Sequence, residues 1–390
     1  MRSEKDIIEK VADARAKKRA LEIVGGGTKR GFGRPVTAHE AIDVSKLSGV
    51  LLYEPEELVL TVSAGTRIAE IEAALAERGQ RLGFDPADWG PLYGAPQGQA
   101  TIGGVLSADA CGSARARYGA ARDHLLGYRA INGFAEAYKA GGRVVKNVTG
   151  FDLPKLLCGA MGTLGVLTEV TLRTTPRAPR AATLIASDVT PEMGLAILRR
   201  AWTSAFECTG LSYVPAAAKE SFPDLGDTGA GVALMRLEGD PKPLREKCAG
   251  VRDLLRHHPL EEMDGEHAFR AIGDGTPFAG NSMDVWRITV PPAAAAACAR
   301  EVAAPLWYAD WAGGLLWMGM HHGDEQASNR IRAASTKAGG SAVLMRASDA
   351  QRANGCFPPE DNARAALTRS VKAAFDPLGL FNPGRMYKSL

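Results

Sequence analysis

The order of apolar and polar positions in the first third of the chain predicts a helix followed by short strands. Ile7, Ile8 and Val11 share one helical face, and Ser3 with Asp6 three positions on is a typical helix start. A second helix is predicted over 64–80, with Thr66 as its N-cap. Strand-length apolar runs lie between the two helices, at residues 21–24, 41–47, 49–55 and 57–63.

The pattern changes at Gln97. Residues 97–123 are rich in Gly, Ala and Arg and contain few large apolar side chains, which predicts loops and short helices wrapped around a ligand. Strand signals return over 124–138, where Asn132-Gly133 predicts a hairpin turn with positive φ. Residues 166–173 alternate in side-chain parity and predict a further strand.

A proline-spaced segment, 174–182, marks a domain boundary near Arg180. Beyond it, predicted strands alternate with two predicted helices at 191–205 and 243–258, which is typical of an antiparallel sheet covered by helices. The chain therefore divides into domains at 1–179 and 180–349, with a C-terminal helix and tail at 350–390. The predicted strands of the second domain are 182–189, 231–239, 285–292, 314–320 and 341–347.

The amino-acid composition and net charge exclude several classes of protein. Hydrophobic residues make up 45% and charged residues 23% of the 390 residues, with a net charge of +3 spread along the chain. These values are ordinary for a globular protein and give no basic surface for nucleic acid. We find no transmembrane segment and no apolar signal core, so we expect a cytoplasmic protein that would reach a membrane only through partner subunits.

Six cysteines lie far apart, without a C-x-x-C pair. An iron–sulfur cluster or zinc site built by this chain alone is therefore not expected.

The stretch 23–35, IVGGGTKRGFGRP, contains five glycines and three cationic side chains, Lys29, Arg30 and Arg34. It lacks the Gly-Lys-Ser/Thr of a P-loop and the G-x-G-x-x-G of a Rossmann turn, and no helix follows it. A nest of backbone N–H groups around a pyrophosphate would need neither motif. A surface loop without a ligand is the competing interpretation of such a run on its own.

Two more glycine-rich segments favour the ligand. Thr101 to Gly104, with Gly112 and Tyr118, offers small residues against which a flat group can lie. Residues 159–172 provide a third glycine turn that leads into a strand. Three such loops separated by strands predict a long dinucleotide held along its length.

Taken together, these motifs resemble the FAD-binding domain of the vanillyl-alcohol-oxidase-like flavoproteins. Within that superfamily the chain resembles, over nearly its full length, the E-type FAD-binding subunits of bacterial glycolate oxidases (glycolate dehydrogenases). The resemblance implies an α+β fold: a two-subdomain PCMH-type FAD-binding domain and an α/β cap domain with an antiparallel sheet. The motifs that carry it are residues 25–35, 62–75, 101–107, 118–133, 144–178, 285–292, 309–318, 338–347 and 375–390.

The resemblance also implies which residues hold FAD. The loop that receives the pyrophosphate is matched by Gly25, Gly26, Gly27, Thr28, Lys29 and Arg30. The segment along the isoalloxazine and ribityl chain is matched by Thr101, Gly103, Gly104, Ala108, Gly112 and Tyr118. The turn at the adenine or pyrimidine edge is matched by Gly162, Gly165 and Val166. Two residues of the returning tail and one beside the middle loop complete the set: Asn382, Arg385 and Pro86.

Catalytic groups are harder to assign. Relatives that oxidise 2-hydroxy acids hold a substrate-binding metal with spaced histidines and a glutamate in the cap. The histidines at 257–258, 267 and 321–322 lack a carboxylate at ligand spacing, and adjacent residues on a strand face opposite ways, so we expect packing or surface histidines and no metal site. Arg287 and Asp310 either face the flavin or form ion pairs. Four tryptophans within residues 286–317 indicate a packed cap core or, as the alternative, a partner interface.

The function implied by the resemblance is that of one subunit of a multi-subunit glycolate oxidase, which converts a small 2-hydroxy acid, glycolate, to glyoxylate. Partners implied are a second, catalytic FAD-binding subunit and an iron–sulfur subunit. The chain matches the complete set of FAD-binding residues but shows no set of ligands for a substrate-binding metal. We therefore expect it to have an accessory, electron-relaying role. The alternatives are a stand-alone flavin-dependent D-2-hydroxy-acid dehydrogenase and a structural subunit with a vestigial flavin site.

We predict that FAD is held non-covalently, because Val24 precedes the glycine run and no His or Cys lies between Gly98 and Gly104. Acid precipitation of the purified protein should release all flavin into the supernatant. Yellow colour that remains with the precipitate would contradict this, and Cys111 would then be the nearest candidate for a covalent tether.

Overall fold

The computed structural model describes residues 1–143, 152–225, 229–324 and 326–390. The opening residues of the 144–178 motif, 144–151, lie outside the described residues.

Strands and helices alternate along the described residues. The strands are β1 Leu21–Val24, β2 Glu40–Asp43, β3 Val50–Glu54, β4 Val59–Ser63, β5 Gln80–Leu82, β6 Leu125–Ile131, β7 Ala137–Gly141, β8 Val166–Pro176, β9 Arg180–Val189, β10 Gly210–Val214, β11 Gly231–Gly239, β12 Glu261–Met263, β13 Asp284–Thr289, β14 Leu306–Asp310, β15 Leu315–Met320 and β16 Ser341–Arg346. The helices are α1 Glu4–Lys17, α2 Ile68–Ala76, α3 Ile102–Ala108, α4 Arg115–Tyr118, α5 Ala121–His124, α6 Leu153–Leu157, α7 Pro191–Trp202, α8 Pro241–Leu254, α9 Glu266–Asp274, α10 Ala295–Val302, α11 Ala327–Lys337, α12 Asp349–Ala353 and α13 Asn362–Phe375.

The chain forms two compact units. Unit 1 comprises Met1–Cys111, Ala120–Arg177 and Asp349–Leu390, and unit 2 comprises Gly112–Gly119 and Ala178–Ser348. The sequence placed the corresponding boundaries at 179/180 and 349/350, and it did not assign the short segment 112–119 to the second unit.

Unit 1 contains two sheets. A parallel pair, β1 and β2, pairs Leu21 with Glu40 and Val24 with Asp43. An antiparallel sheet has the order β3-β4-β8-β6-β7, with β5 added beside β8. Strand β4 is buried along its whole length between β3 and β8, which makes it the inner wall of the unit.

Unit 2 is built on an eight-stranded antiparallel sheet with the order β12-β9-β11-β10-β14-β15-β13-β16. Its core confirms the packed-core interpretation for Trp286 and Trp317, which are 2% and 1% exposed. The Trp317 ring stacks against Phe278 and Tyr308, with centroids 6.2 Å away in each case. Burial and the neighbouring Asp310 carboxylate raise the pKa of Tyr308 well above its usual value.

Three sequence predictions of local structure need correction. Helix α2 begins at Ile68 with Arg67 as its N-cap, while the Thr66 hydroxyl donates to the carbonyl of Ser63 at 2.7 Å instead of capping the helix. The hairpin between β6 and β7 is present, but its positive φ of 65° falls on Ala135. Strands β10, β12 and β14 and helices α9, α10 and α11 were not predicted.

The C-terminal tail is an integral part of unit 1. The Leu21 N–H donates to the Leu380 carbonyl at 2.7 Å, and the Asn382 N–H donates to the Leu21 carbonyl at 2.9 Å. Phe381 is fully buried in the cluster that Ile7 and Val11 form with β1 and β2. The tail therefore lies beside β1, where the first glycine loop begins.

None of the described helices has the length and apolar content needed to cross a bilayer.

We predict that Phe381→Ala lowers the free energy of unfolding of unit 1 by about 3–5 kcal/mol, the cost of emptying a well-packed aromatic site. Leu367→Ala, at a side chain that is 66% exposed on α13, should change it by less than about 0.5 kcal/mol. Urea unfolding measured by circular dichroism tests both; equal stability of the two variants would show that the tail is not part of the core.

Candidate cofactor site

One cleft in unit 1 collects the three glycine loops. It measures about 730 Å³, a volume that includes space open to solvent. Its walls are the end of β1 with the loop after it, the start of α3, the turn before β8, and the C-terminal tail. The lining residues are Ile23, Val24, Gly25, Gly26, Gly27, Thr28, Lys29, Arg30, Val44, Ala64, Thr101, Gly103, Gly104, Ser107, Ala108, Met161, Gly162, Gly165, Leu167, Asn382 and Arg385.

Most of the residues predicted to hold a cofactor meet in this cleft, and four lie elsewhere. Pro86 pairs with Cys111 through an isolated bridge beside the middle loop. Val166 is fully buried in the core behind the third loop. Gly112 and Tyr118 belong to unit 2, where the Tyr118 hydroxyl donates to Glu238 Oε2 at 2.8 Å.

The first glycine loop needs glycine because it runs against another backbone segment. A Cβ atom on Gly26 would overlap the carbonyl oxygen of Gln99, and one on Gly25 would overlap the Thr101 hydroxyl. Gly27 adopts φ +73°, which glycine tolerates best. The loop can therefore lie flat along the cleft, with its backbone exposed to a ligand.

Four consecutive residues at the start of this loop have backbone N–H groups without a hydrogen-bond partner in the described part of the protein. Within the described residues, the N–H groups of Gly25 to Thr28 make no hydrogen bond, although all four residues line the cleft. Such consecutive N–H groups form a concave site for an anion. Unbonded donors of this kind are expected where a ligand supplies the acceptor.

The carbonyl groups of the same loop point to two buried arginines. Arg385 Nη2 donates to the carbonyls of Lys29 and Arg30, at 2.8 and 3.1 Å. Arg352 Nη1 donates to the carbonyls of Gly31 and Gly33, at 2.9 and 2.8 Å. Together with the bonds from the Arg30 and Phe32 N–H groups to the Gly27 and Lys29 carbonyls, these bonds hold residues 29–33 in place directly after Gly25 to Thr28.

The cationic side chains of the loop are mostly engaged within the protein. Arg30 forms a two-point ion pair with Glu22, and that carboxylate raises the pKa of Arg30. Arg34 donates to the Ala353 carbonyl. Lys29 Nζ lies 3.3 Å from the Thr28 hydroxyl and 6.0 Å from the Trp89 ring centre. The anion would therefore depend chiefly on backbone donors, with Lys29 beside them.

The second loop is held by Thr101. Its hydroxyl accepts from the Gly104 N–H at 3.4 Å and so caps α3. A Cβ atom on Gly103 would lie 2.8 Å from the Ala64 carbonyl, so only glycine allows this helix to lie so close to the end of β4.

The third loop meets the tail at Asn382. Asn382 Oδ1 accepts from the Ile23 N–H at 2.9 Å, and Nδ2 donates to the Met161 carbonyl at 2.7 Å. Met161 and Gly162 both adopt positive φ, 55° and 69°. The side-chain amide of Asn382 is therefore used to join β1 to the third loop.

Seven lining residues escaped the sequence analysis, namely Ile23, Val24, Val44, Ala64, Ser107, Met161 and Leu167. Most are apolar or small and look like ordinary core positions. Two of them could have been found from their place in the chain, because Val24 is the last residue of β1 and Ala64 directly follows β4.

Arg287 and Asp310, the candidate catalytic residues of the cap, lie in unit 2, and both contact Trp311. Arg287 packs against the rings of Trp311 and Trp317, at 5.3 and 5.1 Å from their centres. Asp310 Oδ1 accepts from the Ser212 hydroxyl and from the Trp311 N–H, both at 2.8 Å.

Two of the five cap histidines each pair with a single carboxylate. His267 Nδ1 lies 2.8 Å from Asp224 Oδ2, and His322 Nδ1 lies 3.0 Å from Asp284 Oδ1. Across the described ranges, no group of three or more His, Cys, Asp or Glu side chains is placed to hold a metal ion.

The cleft fits a dinucleotide that carries a pyrophosphate. It combines unbonded N–H donors at Gly25 to Thr28, glycines that admit a close ligand, and an apolar wall formed by Val44, Ala64 and Leu167. Among the described residues, the side chains that line it include no aspartate or glutamate that would repel phosphate.

Comparison with known proteins agrees with this geometry. Residues 1–141 match the family model described as FAD binding domain. Over its whole length the chain matches p-cresol methylhydroxylase, solved with substrate bound, with a TM-score of 0.72 and 12% identity, covering 100% of this chain and 88% of that one. The fold is thus the predicted α+β PCMH type, and the chain is an FAD-linked oxidoreductase.

Similarity to proteins of known sequence identifies the family of this chain. The chain is 32% identical to glycolate oxidase subunit GlcE of Escherichia coli (strain K12), over 98% of this chain and 97% of the relative. It is 28% identical to glycolate oxidase subunit GlcD of Bacillus subtilis (strain 168), over 36% of this chain and 28% of that protein. The chain belongs to the GlcE family.

We predict that Gly26→Ala weakens FAD binding by about ten- to a hundredfold, because relieving the overlap with the Gln99 carbonyl must shift the loop. Gly142→Ala is the matched control, since a Cβ there meets nothing within 4 Å and φ is not positive. Fluorescence titration of the flavin-free proteins measures both. Equal affinities would show that the close approach at Gly26 does not shape the site.

Proposed function

We propose that this chain is the accessory, electron-relaying FAD subunit of a multi-subunit oxidase that converts glycolate to glyoxylate. The main support is a cleft lined by the three glycine loops, in a chain that is similar to GlcE over almost its full length. GlcE and GlcD are both named as subunits of glycolate oxidase, which supports an assembly of several chains.

The chain's own residues bind and orient the cofactor. In this proposal the N–H groups of Gly25 to Thr28 hold the pyrophosphate, with Lys29 beside them. Thr101, Gly103, Gly104, Met161 and Gly162 are further lining residues of the same cleft. The absence of a cleft-lining His or Cys among the described residues favours non-covalent attachment. Bound FAD supplies a two-electron acceptor that can pass electrons onward.

The accessory role rests on how the cap residues are used. The described part of unit 2 offers no metal-binding cluster, and its paired histidines each contact one carboxylate. Asp310 already accepts two hydrogen bonds within the unit. Substrate oxidation is therefore assigned to a second, GlcD-like FAD subunit.

An iron–sulfur subunit completes the proposed assembly. None of the described cysteines of this chain belongs to a cluster of metal ligands, so one-electron transfer beyond the flavin would need another protein.

We predict that the purified FAD-loaded chain is not bleached by glycolate or D-lactate within minutes under anaerobic conditions. Sodium dithionite is the control, and it must bleach the same sample to show that the flavin is reducible. Adding the GlcD-like subunit from the same host should then allow glycolate to bleach the flavin absorbance.

Rapid bleaching of the isolated chain by either hydroxy acid would contradict the accessory role and favour a stand-alone D-2-hydroxy-acid dehydrogenase. Failure to bind FAD at all would favour the structural subunit.

A further inference from the structure

We propose that Asn382 is a positioning residue that sets the distance between two walls of the FAD cleft, and that a buried Lys372–Asp376 pair holds it in place. The inference rests on the proposed FAD site. It assigns the C-terminal tail a role in shaping that site, in addition to lining it.

The Asn382 side chain itself bridges two walls of the cleft. Its side chain is 3% exposed, and its amide bonds the Ile23 N–H on one wall and the Met161 carbonyl on the other. Both ends of the amide are therefore used by the protein, and its contribution to cofactor binding is to hold backbone. The residue adopts φ 41°, a conformation that asparagine tolerates better than most residues.

A buried ion pair between Lys372 and Asp376 anchors the tail just before Asn382. Lys372, on α13, is 6% exposed and Asp376 is 1% exposed. Lys372 Nζ donates to Asp376 Oδ2 at 2.7 Å, to the Thr163 carbonyl at 2.7 Å and to the Phe381 carbonyl at 3.0 Å. These three bonds use every donor of the ammonium group.

The carboxylate of Asp376 completes the anchor. Asp376 Oδ1 accepts from the Leu380 N–H at 3.0 Å, and Oδ2 accepts from the Phe381 N–H at 2.8 Å. A buried pair with all its hydrogen bonds made defines a single backbone path. Since that path ends at Asn382, the pair determines where the bridging amide lies.

The same pair reaches the third loop directly. Thr163, whose carbonyl accepts from Lys372, follows Gly162 in the turn that lines the cleft. Lys372 and Asn382 thus hold this turn at two points, while Arg385 holds the first loop through the Lys29 and Arg30 carbonyls. The tail therefore braces both loops against each other.

The decisive variant is Asn382→Asp. Aspartate tolerates the same φ and still accepts from Ile23, but it sets an oxygen against the Met161 carbonyl where an N–H donor stood. We expect FAD affinity to fall about tenfold or more, as for the loss of one buried hydrogen bond. Affinity is measured by flavin fluorescence titration below the melting temperature of each apoprotein, so that only folded protein is compared.

Lys372→Met tests the anchor, with Lys388→Met as matched control on the same tail, where Lys388 is exposed. Weaker FAD binding by Lys372→Met, with wild-type binding by Lys388→Met, supports the proposal. A lower melting temperature with unchanged affinity in both Asn382→Asp and Lys372→Met would overturn it, because the tail would then serve stability alone.

If these variants do not fold, hydrogen exchange of the wild-type protein decides the question. FAD should slow exchange at the Ile23 amide and at residues 380–382 together. Unchanged exchange at these amides, in protein that binds FAD, would overturn the proposal. Wild-type protein that does not bind FAD would instead overturn the proposed function.

Discussion

Hydrogen bonds from two buried arginines to the backbone of the first glycine loop underlie the arrangement of the cleft. Arg385 and Arg352 bind four carbonyls between Lys29 and Gly33. These bonds fix residues 29–33, which directly follow the segment Gly25 to Thr28, whose N–H groups make no hydrogen bond within the described residues. Burial lowers the pKa of Arg385, and Glu22 opposes that shift, so the charge that organises the loop is itself partnered inside the protein.

Two cationic side chains of the same loop are engaged away from the cleft. Arg30 pairs with Glu22 and Arg34 with the Ala353 carbonyl, so these side chains fasten the loop to β1 and to α12. In the proposed site, backbone donors would then carry out most of the recognition of the pyrophosphate.

Local signals in the sequence were sufficient for much of the fold. Helices such as α1 carry clear periodicity, and strands such as β11 begin with a continuous apolar run. The glycines of the three loops are visible because close backbone approach demands them. Strands β10 and β14 escaped prediction. Each is only five residues long, and each contains a buried polar residue, Ser212 in β10 and Asp310 in β14, that interrupts or ends its apolar run.

The parts of the site that depend on tertiary contacts could not be predicted. Asn382 and Arg385 were assigned to the cofactor, but their polar groups bind backbone more than 200 positions away in sequence. Gly112 and Tyr118 were assigned to the flavin from the family resemblance, and they belong to unit 2 and are not among the residues that line the cleft. Nothing in the sequence near these residues indicates either outcome.

The central claim is that backbone N–H groups of the first loop hold the pyrophosphate of FAD. Its most direct test is a calorimetric titration of the flavin-free protein with FAD, FMN and riboflavin under identical conditions. FAD should bind one per chain and at least about tenfold more tightly than FMN, because only FAD carries the pyrophosphate. Equal affinities for FAD and FMN would contradict the account.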